Sequence, residues 1–290
     1  MFPPEFDYRR ADDVAAAVDL LAAHDDAAVI AGGHSLLPAM KRGDAAPSTV
    51  VDVSDVDAMA GIERDEGGVR VGAATRYVEA AESEALATRA PVLAEAAGAV
   101  GDVQIRNRGT VGGNLAAADR GADLPAAALA ADATAHLRGP DGERAVDADD
   151  FFAPGGATAV ADDEVLTALW VPDASDAGSA YVRRTHPATG YALVGVAAVV
   201  RTEAGTVTDA RLAANGVCER GVRLPAAEAK LADAPADGGT IERAAAAAGD
   251  GVDDEFVGDP TASGEFRAHL LGTQVEAALE KALSATGGAA

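Results

Sequence analysis

A short apolar run, Ala27-Ala28-Val29-Ile30-Ala31, stops at Gly32-Gly33, and Ser35-Leu36-Leu37-Pro38-Ala39-Met40-Lys41 follows with the pattern of a helix. This order of strand, glycine pair and helix constrains the chain more than any other stretch. Glycines turn the backbone sharply and let a ligand approach it with no Cβ in the way. The helix start behind them aims N–H groups of partial positive charge at the same spot, and the Ser35 hydroxyl adds a donor. Pro38 is tolerated in the first helical turn. The chemistry recurs 80 positions later (32 to 112) in Thr110-Val111-Gly112-Gly113-Asn114. Two such loops suit a ligand with two linked phosphates gripped by neutral donors. Two independent turns in a chain of 32 glycines are the simpler alternative.

Charge sharpens that reading. The 290 residues carry 47 Asp+Glu against 23 Lys+Arg, a net charge of −24, and lysine occurs only at Lys41, Lys230 and Lys281. A chain this acidic repels nucleic-acid backbones and anionic membranes, so any phosphate must be held mainly by backbone dipoles. The 49% hydrophobic content nonetheless indicates a folded protein. Acidic excess with scarce lysine resembles proteins of salt-loving organisms, in which molar salt screens self-repulsion; a GC-rich genome would write a similar composition. Cys218 is the single cysteine, so neither an internal disulfide nor a four-cysteine cluster can form from this chain alone. The start, Met1-Phe2-Pro3-Pro4-Glu5, lacks the pattern of a secretory signal, and the most apolar run, Tyr191 to Val200, is too short to span a bilayer. A cytoplasmic protein without membrane insertion is expected. No G-x-x-x-x-G-K-[ST], G-x-G-x-x-G after the first strand, G-x-S-x-G or H-E-x-x-H occurs. The five histidines show no metal-binding spacing, the acidic runs at 147–150 and 253–255 read as solvated faces, and Cys218 reads as a small core or interface residue.

Periodicity predicts a helix over 12–24, strands near 27–31, 50–53 and 69–73, and Ala-rich helix over 76–100. A turn-laden segment spans 101–114, followed by strands near 132–138 and 164–171. The small, polar stretch Pro172 to Ser179 marks a domain boundary. Beyond it come three strands (179–184, 191–201, 206–214), helices at 225–232, 240–248 and 262–283, and a loose tail from Ser284.

These motifs, taken together, resemble the FAD-binding medium subunit of molybdenum hydroxylases of the carbon monoxide dehydrogenase and xanthine dehydrogenase type. The likeness is carried by Phe6-Asp7-Tyr8, Ala31-Gly32-Gly33-His34-Ser35-Leu36-Leu37-Pro38 and, most specifically, the run Gln104 to Ala116. Ala122-Asp123-Leu124-Pro125-Ala126, Asp150-Phe151-Phe152, Tyr181, His186 to Ala192 and Glu265-Phe266-Arg267 extend it nearly end to end. The resemblance implies an α+β fold of the PCMH type, similar to vanillyl-alcohol oxidase. Two subdomains (about 1–55 and 56–175) would clasp FAD, and a C-terminal domain (178–284) would carry a three-stranded antiparallel sheet and helices, with 285–290 loose.

It further implies cofactor contacts at Ala31, Gly32, Gly33, His34, Ser35 and Leu36 in the first loop. Thr110, Val111, Gly112, Gly113 and Asn114 would supply the second, with Asp123, Leu166, Arg183 and Tyr191 around them. Arg183 stands where many relatives have Lys, Ala117 where His or Ser is frequent, and Arg120 where Pro is frequent. The implied role is electron transfer: 2Fe-2S clusters of a small subunit feed FAD here after a molybdenum-cofactor large subunit oxidises substrate, in a heterotrimer that dimerises. A self-contained flavin reductase or oxidase of the same fold, or a non-catalytic nucleotide-binding module, are the alternatives.

Overall fold

The structure is a computed structural model that describes residues 2–252 and 255–285. Asp253 and Asp254 of the acidic run, and 286–290 of the expected tail, lie outside the described residues.

The first layer is a parallel sheet in the order β1-β3-β2, built from β1 (Asp7–Arg10), β2 (Ala27–Ile30) and β3 (Thr49–Asp52). The helix Val14–Ala22 links β1 to β2; Asp13 caps it by accepting from Ala16 N at 2.8 Å, and Ala17, Val18 and Leu21 are buried. The helix Leu36–Arg42 links β2 to β3. β1 escaped the sequence pattern because all four of its residues, Asp-Tyr-Arg-Arg, are exposed.

The second layer is an antiparallel sheet in the order β4-β5-β10-β6-β7. Its strands are β4 (Ile62–Asp65), β5 (Gly68–Gly72), β6 (Thr134–Gly139), β7 (Gly142–Asp147) and β10 (Val165–Pro172), with a small ribbon of β8 (Phe152–Ala153) and β9 (Ala157–Thr158) before the last. The helix expected over 76–100 is three: Tyr77–Glu82, Glu84–Arg89 and Pro91–Ala99. Ser83 ends the first and caps the second through Leu86 N at 3.3 Å, and Pro91 can only begin the third. The segment expected to be turns holds two short helices, Val103–Arg106 and Val111–Ala117, before the wholly buried Leu124–Ala130.

The third layer is an antiparallel sheet of β11 (Gly178–Thr185), β12 (Ala192–Glu203), β13 (Thr206–Asn215) and β14 (Val222–Arg223). It therefore has four strands and not three; β14 is only two residues long, too short to show alternation. Helices Pro225–Leu231, Gly238–Ala246 and Gly264–Ala285 cover it. The last extends past Ser284, and its buried Leu271, Val275, Ala278, Leu279, Ala282 and Leu283 form one stripe at helical spacing. Each such buried leucine is worth about 1.5–3 kcal/mol. Cys218 is buried in this core. No helix among the described residues is long and apolar enough to cross a membrane.

Candidate functional site

The two glycine pairs face each other across one cleft of about 510 Å³, within the range of cofactor sites. Gly32 follows the C-terminal end of β2, and a Cβ built on it would stand 2.5 Å from Arg108 O and 2.6 Å from Gly109 Cα. Only glycine permits the two segments to meet there. Gly33 has φ +77°, the left-handed conformation that side chains resist. The amides of Gly32, Gly33, His34 and Ser35 donate to no acceptor among the described residues, and the Ser35 side chain makes no capping bond. Four consecutive donors thus line the cleft uncommitted.

The second segment is organised differently. Val111 N donates to Thr75 O at 2.9 Å, Gly112 N to Ala73 O at 2.8 Å and Asn114 N to Thr110 O at 3.1 Å. Gly113 N is held by Thr110 Oγ1 at 3.2 Å. Thr110 is thereby the N-cap of the helix Val111–Ala117. A Cβ on Gly112 would come within 2.8 Å of Ala73 Cα and O, so this glycine allows the helix to dock on the second layer. The expected second loop is a helix start whose amides are mostly spent inside the protein.

Ala31, Gly32, Gly33, His34, Ser35, Leu36, Thr110, Gly112, Gly113, Leu166 and Tyr191 all line the cleft. Leu166 is positioned by a β-bulge between Leu166 and Ala168 on β10. Tyr191 sits just before β12, 57% exposed, at the cleft mouth. Burial first, then the nearby Asp119 carboxylate, raises its phenol above the ordinary value. The wall is poor in free cations: Arg42 is its single Lys or Arg among the described residues, and its Nε is bound to Asp44 at 2.7 Å. Glu164 on the wall is paired with Arg144 at 2.6 Å, and this hydrogen bond holds its carboxyl below the usual range.

Four expected contacts do not line the cleft. Val111 is fully buried beneath it. Asn114 Nδ2 donates to Tyr77 Oη at 3.0 Å, and its Oδ1 is buried with no partner among the described residues. Asp123 and Arg183 are drawn to each other: Arg183 Nη1 donates to both Asp123 carboxylate oxygens, at 2.9 and 3.1 Å. Tyr181 Oη donates to the same carboxylate at 2.5 Å. Burial raises the Asp123 carboxyl's pKa despite Arg183 and Tyr181. This polar knot ties the helix Leu124–Ala130 to β11 behind the site, because a carboxylate so buried must be paired.

Tyr77 also lines the cleft, although no sequence motif singled it out. Its ring backs Gly109, where a Cβ would meet Tyr77 Cδ2 at 2.9 Å. Burial pushes its phenol up to about 12, so it stays neutral. The signal for it was Gly109 itself, a third glycine in the motif with no turn to make. Asp119 was missed as well, because nothing in its local sequence marks the cleft wall.

Comparison with known proteins gives a consistent picture. A family model described as the FAD binding domain in molybdopterin dehydrogenase matches residues 4–174, and one described as the CO dehydrogenase flavoprotein C-terminal domain matches 180–282. The chain is 35% identical over 288 residues to the 6-hydroxypseudooxynicotine dehydrogenase complex subunit alpha of Paenarthrobacter nicotinovorans, covering 98% of this chain and 96% of the relative. It is 37% identical over 233 residues to the carbon monoxide dehydrogenase medium chain of Hydrogenophaga pseudoflava, covering 80% and 81%. The solved carbon monoxide dehydrogenase of Hydrogenophaga pseudoflava lacking the Mo-pyranopterin moiety superposes with a TM-score of 0.93 at 36% identity, covering 98% and 99%.

Proposed function

The chain belongs to the FAD-binding medium subunits of the molybdenum hydroxylase family, and from that premise we propose that it takes electrons from 2Fe-2S clusters of a partner subunit and delivers them to an external acceptor. FAD is its cofactor and the chain is an oxidoreductase subunit. When bound, FAD supplies storage for two electrons between one-electron donors and the acceptor.

The observation that carries the reading is the run of four uncommitted amides, Gly32 to Ser35, on a cleft wall nearly devoid of free cations. In a protein of charge −24, that run is what a diphosphate requires. Gly32 to Ser35 bind it, and Gly113 and Thr110 close the opposite side. Leu166 and Tyr191 exclude water from the apolar part of the cofactor. Asp123 and Arg183 act behind the wall, holding β11 against the cleft; the Arg183 charge is already matched by Asp123. Residues 1–175 form the FAD-binding part, with subdomains about 1–55 and 56–175, and 178–284 the C-terminal part.

The partners in this reading are a molybdenum-cofactor large subunit and a 2Fe-2S small subunit, in a heterotrimer that dimerises. One cysteine leaves the clusters to another chain, and the relatives are named as medium chains or as subunits of complexes. Purification from molar KCl should yield yellow protein that co-elutes with those two subunits and whose melting temperature rises with salt. Colourless protein that takes up no added FAD would refute the assignment.

A further inference from the structure

Tyr191 ends the β11–β12 hairpin, and its two supports are tied together by one carboxylate. The first support is β12, the strand that begins directly after it. Arg267, with only 3% of its side chain exposed, reaches from the start of the helix Gly264–Ala285 and donates through Nη1 to Leu193 O at 2.5 Å and Gly216 O at 2.8 Å. The second is the floor beneath the ring: Gly121 lies against it, and a Cβ there would stand 3.2 Å from Tyr191 Cδ1. The neighbouring Arg120 donates through Nη2 to Asp259 Oδ2, and Arg267 Nη2 donates to the same oxygen at 2.7 Å. Asp259 Oδ1 is fixed in turn by Thr261 N at 2.7 Å and Ala262 N at 3.0 Å. One carboxylate therefore couples the loop under the ring to β12.

We propose that Arg120, Asp259 and Arg267 form a positioning clamp that sets how closely Tyr191 covers the cofactor's apolar end. The Arg267–Asp259 pair alone would match the charge of the buried guanidinium. Arg120 adds nothing to that burial, with 27% of its side chain exposed, but joins the clamp to the cleft wall through Gly121 and Asp119. Without it, the hairpin keeps its fold and loses its registration against the wall. The inference rests on the FAD reading above.

The test uses the full chain and the variants Arg120→Ala, Arg120→Lys and Tyr191→Ala, with Arg267 left intact because its burial makes it essential to folding. Acrylamide quenching of the bound flavin's fluorescence should rise about twofold in Arg120→Ala, while FAD affinity, set by distant amides, changes by less than about twofold. Arg120→Lys should restore most of the protection, and Arg120→Ala should add nothing in a Tyr191→Ala background. Amide exchange of 186–193, read with or without FAD, should accelerate about tenfold in Arg120→Ala. Unchanged exchange at 186–193 would overturn the clamp, as would additive quenching in the double variant. Wild-type chain that takes up no FAD would instead sink the cofactor reading, and the exchange measurement would still decide the clamp.

Discussion

The two paired-glycine segments meet across one cleft and spend their backbone in opposite ways. At Gly32-Gly33 the chain leaves β2 and four successive amides find no internal acceptor. At Gly112-Gly113 the amides of Val111 to Asn114 are all bonded within the protein, and Gly112 exists to seat a helix on Ala73. The first segment is built to bind, the second to pack, although Thr110, Gly112 and Gly113 still line the cleft. Identical dipeptides can thus serve ligand approach in one place and element docking in another, according to whether the amides have been claimed.

Substitutions should separate these roles. Gly32→Ala places a Cβ against the Arg108–Gly109 backbone, which cannot yield without parting the two segments. FAD affinity should fall about 100-fold or more, roughly 2.7 kcal/mol, by isothermal titration. Gly112→Ala should act mainly on stability, costing about 2 kcal/mol and lowering the melting temperature by about 2–4 °C per kcal/mol. A larger loss of FAD affinity than of stability in that variant would break the comparison.

Hydroxyl removal sharpens it further. Thr110→Ala removes an N-cap and should cost about 1 kcal/mol of stability. Ser35→Ala has no capping bond to lose and should leave the melting temperature unchanged, weakening FAD only a few-fold. Denaturant titration of both variants, with and without FAD, distinguishes the two.

The smallest effect concerns acid. Burial alone would raise the Asp259 carboxyl, but hydrogen bonds from Thr261 and Ala262 and the Arg267 charge hold it well below the ordinary value. A carboxylate depressed in the folded state stabilises above its unfolded pKa near 4 and loses that contribution as pH falls through the folded value. Hydrogen exchange should therefore show the Asp259 to Arg267 segment loosening below about pH 4, while the amides of Val111 to Asn114, bonded to backbone and hydroxyl acceptors, stay protected to lower pH.

Much of this was legible in the sequence. The β2–glycine–helix unit stood out because apolar run, turn and helix start are all local signals, and Ala31 to Leu36 line the cleft. That the second segment starts a helix with its amides bonded is not legible locally, because whether an amide is free depends on Thr75 and Ala73, more than thirty positions away. β1 and β4 carry no legible alternation because their residues, Ile62 apart, are exposed. The resemblance implied Asp123 and Arg183 as cofactor contacts; the fold pairs them with each other, a long-range match between the helix Leu124–Ala130 and β11 that no spacing announces.

The most direct test of the central claim is residue-resolved amide exchange across an FAD titration in molar KCl. The amides of Gly32, Gly33, His34 and Ser35 should pass from fast exchange to protection by about tenfold or more on FAD binding, while those of Val111, Gly112 and Asn114 stay protected throughout. FAD binding that leaves Gly32 to Ser35 as exposed as before would contradict the account.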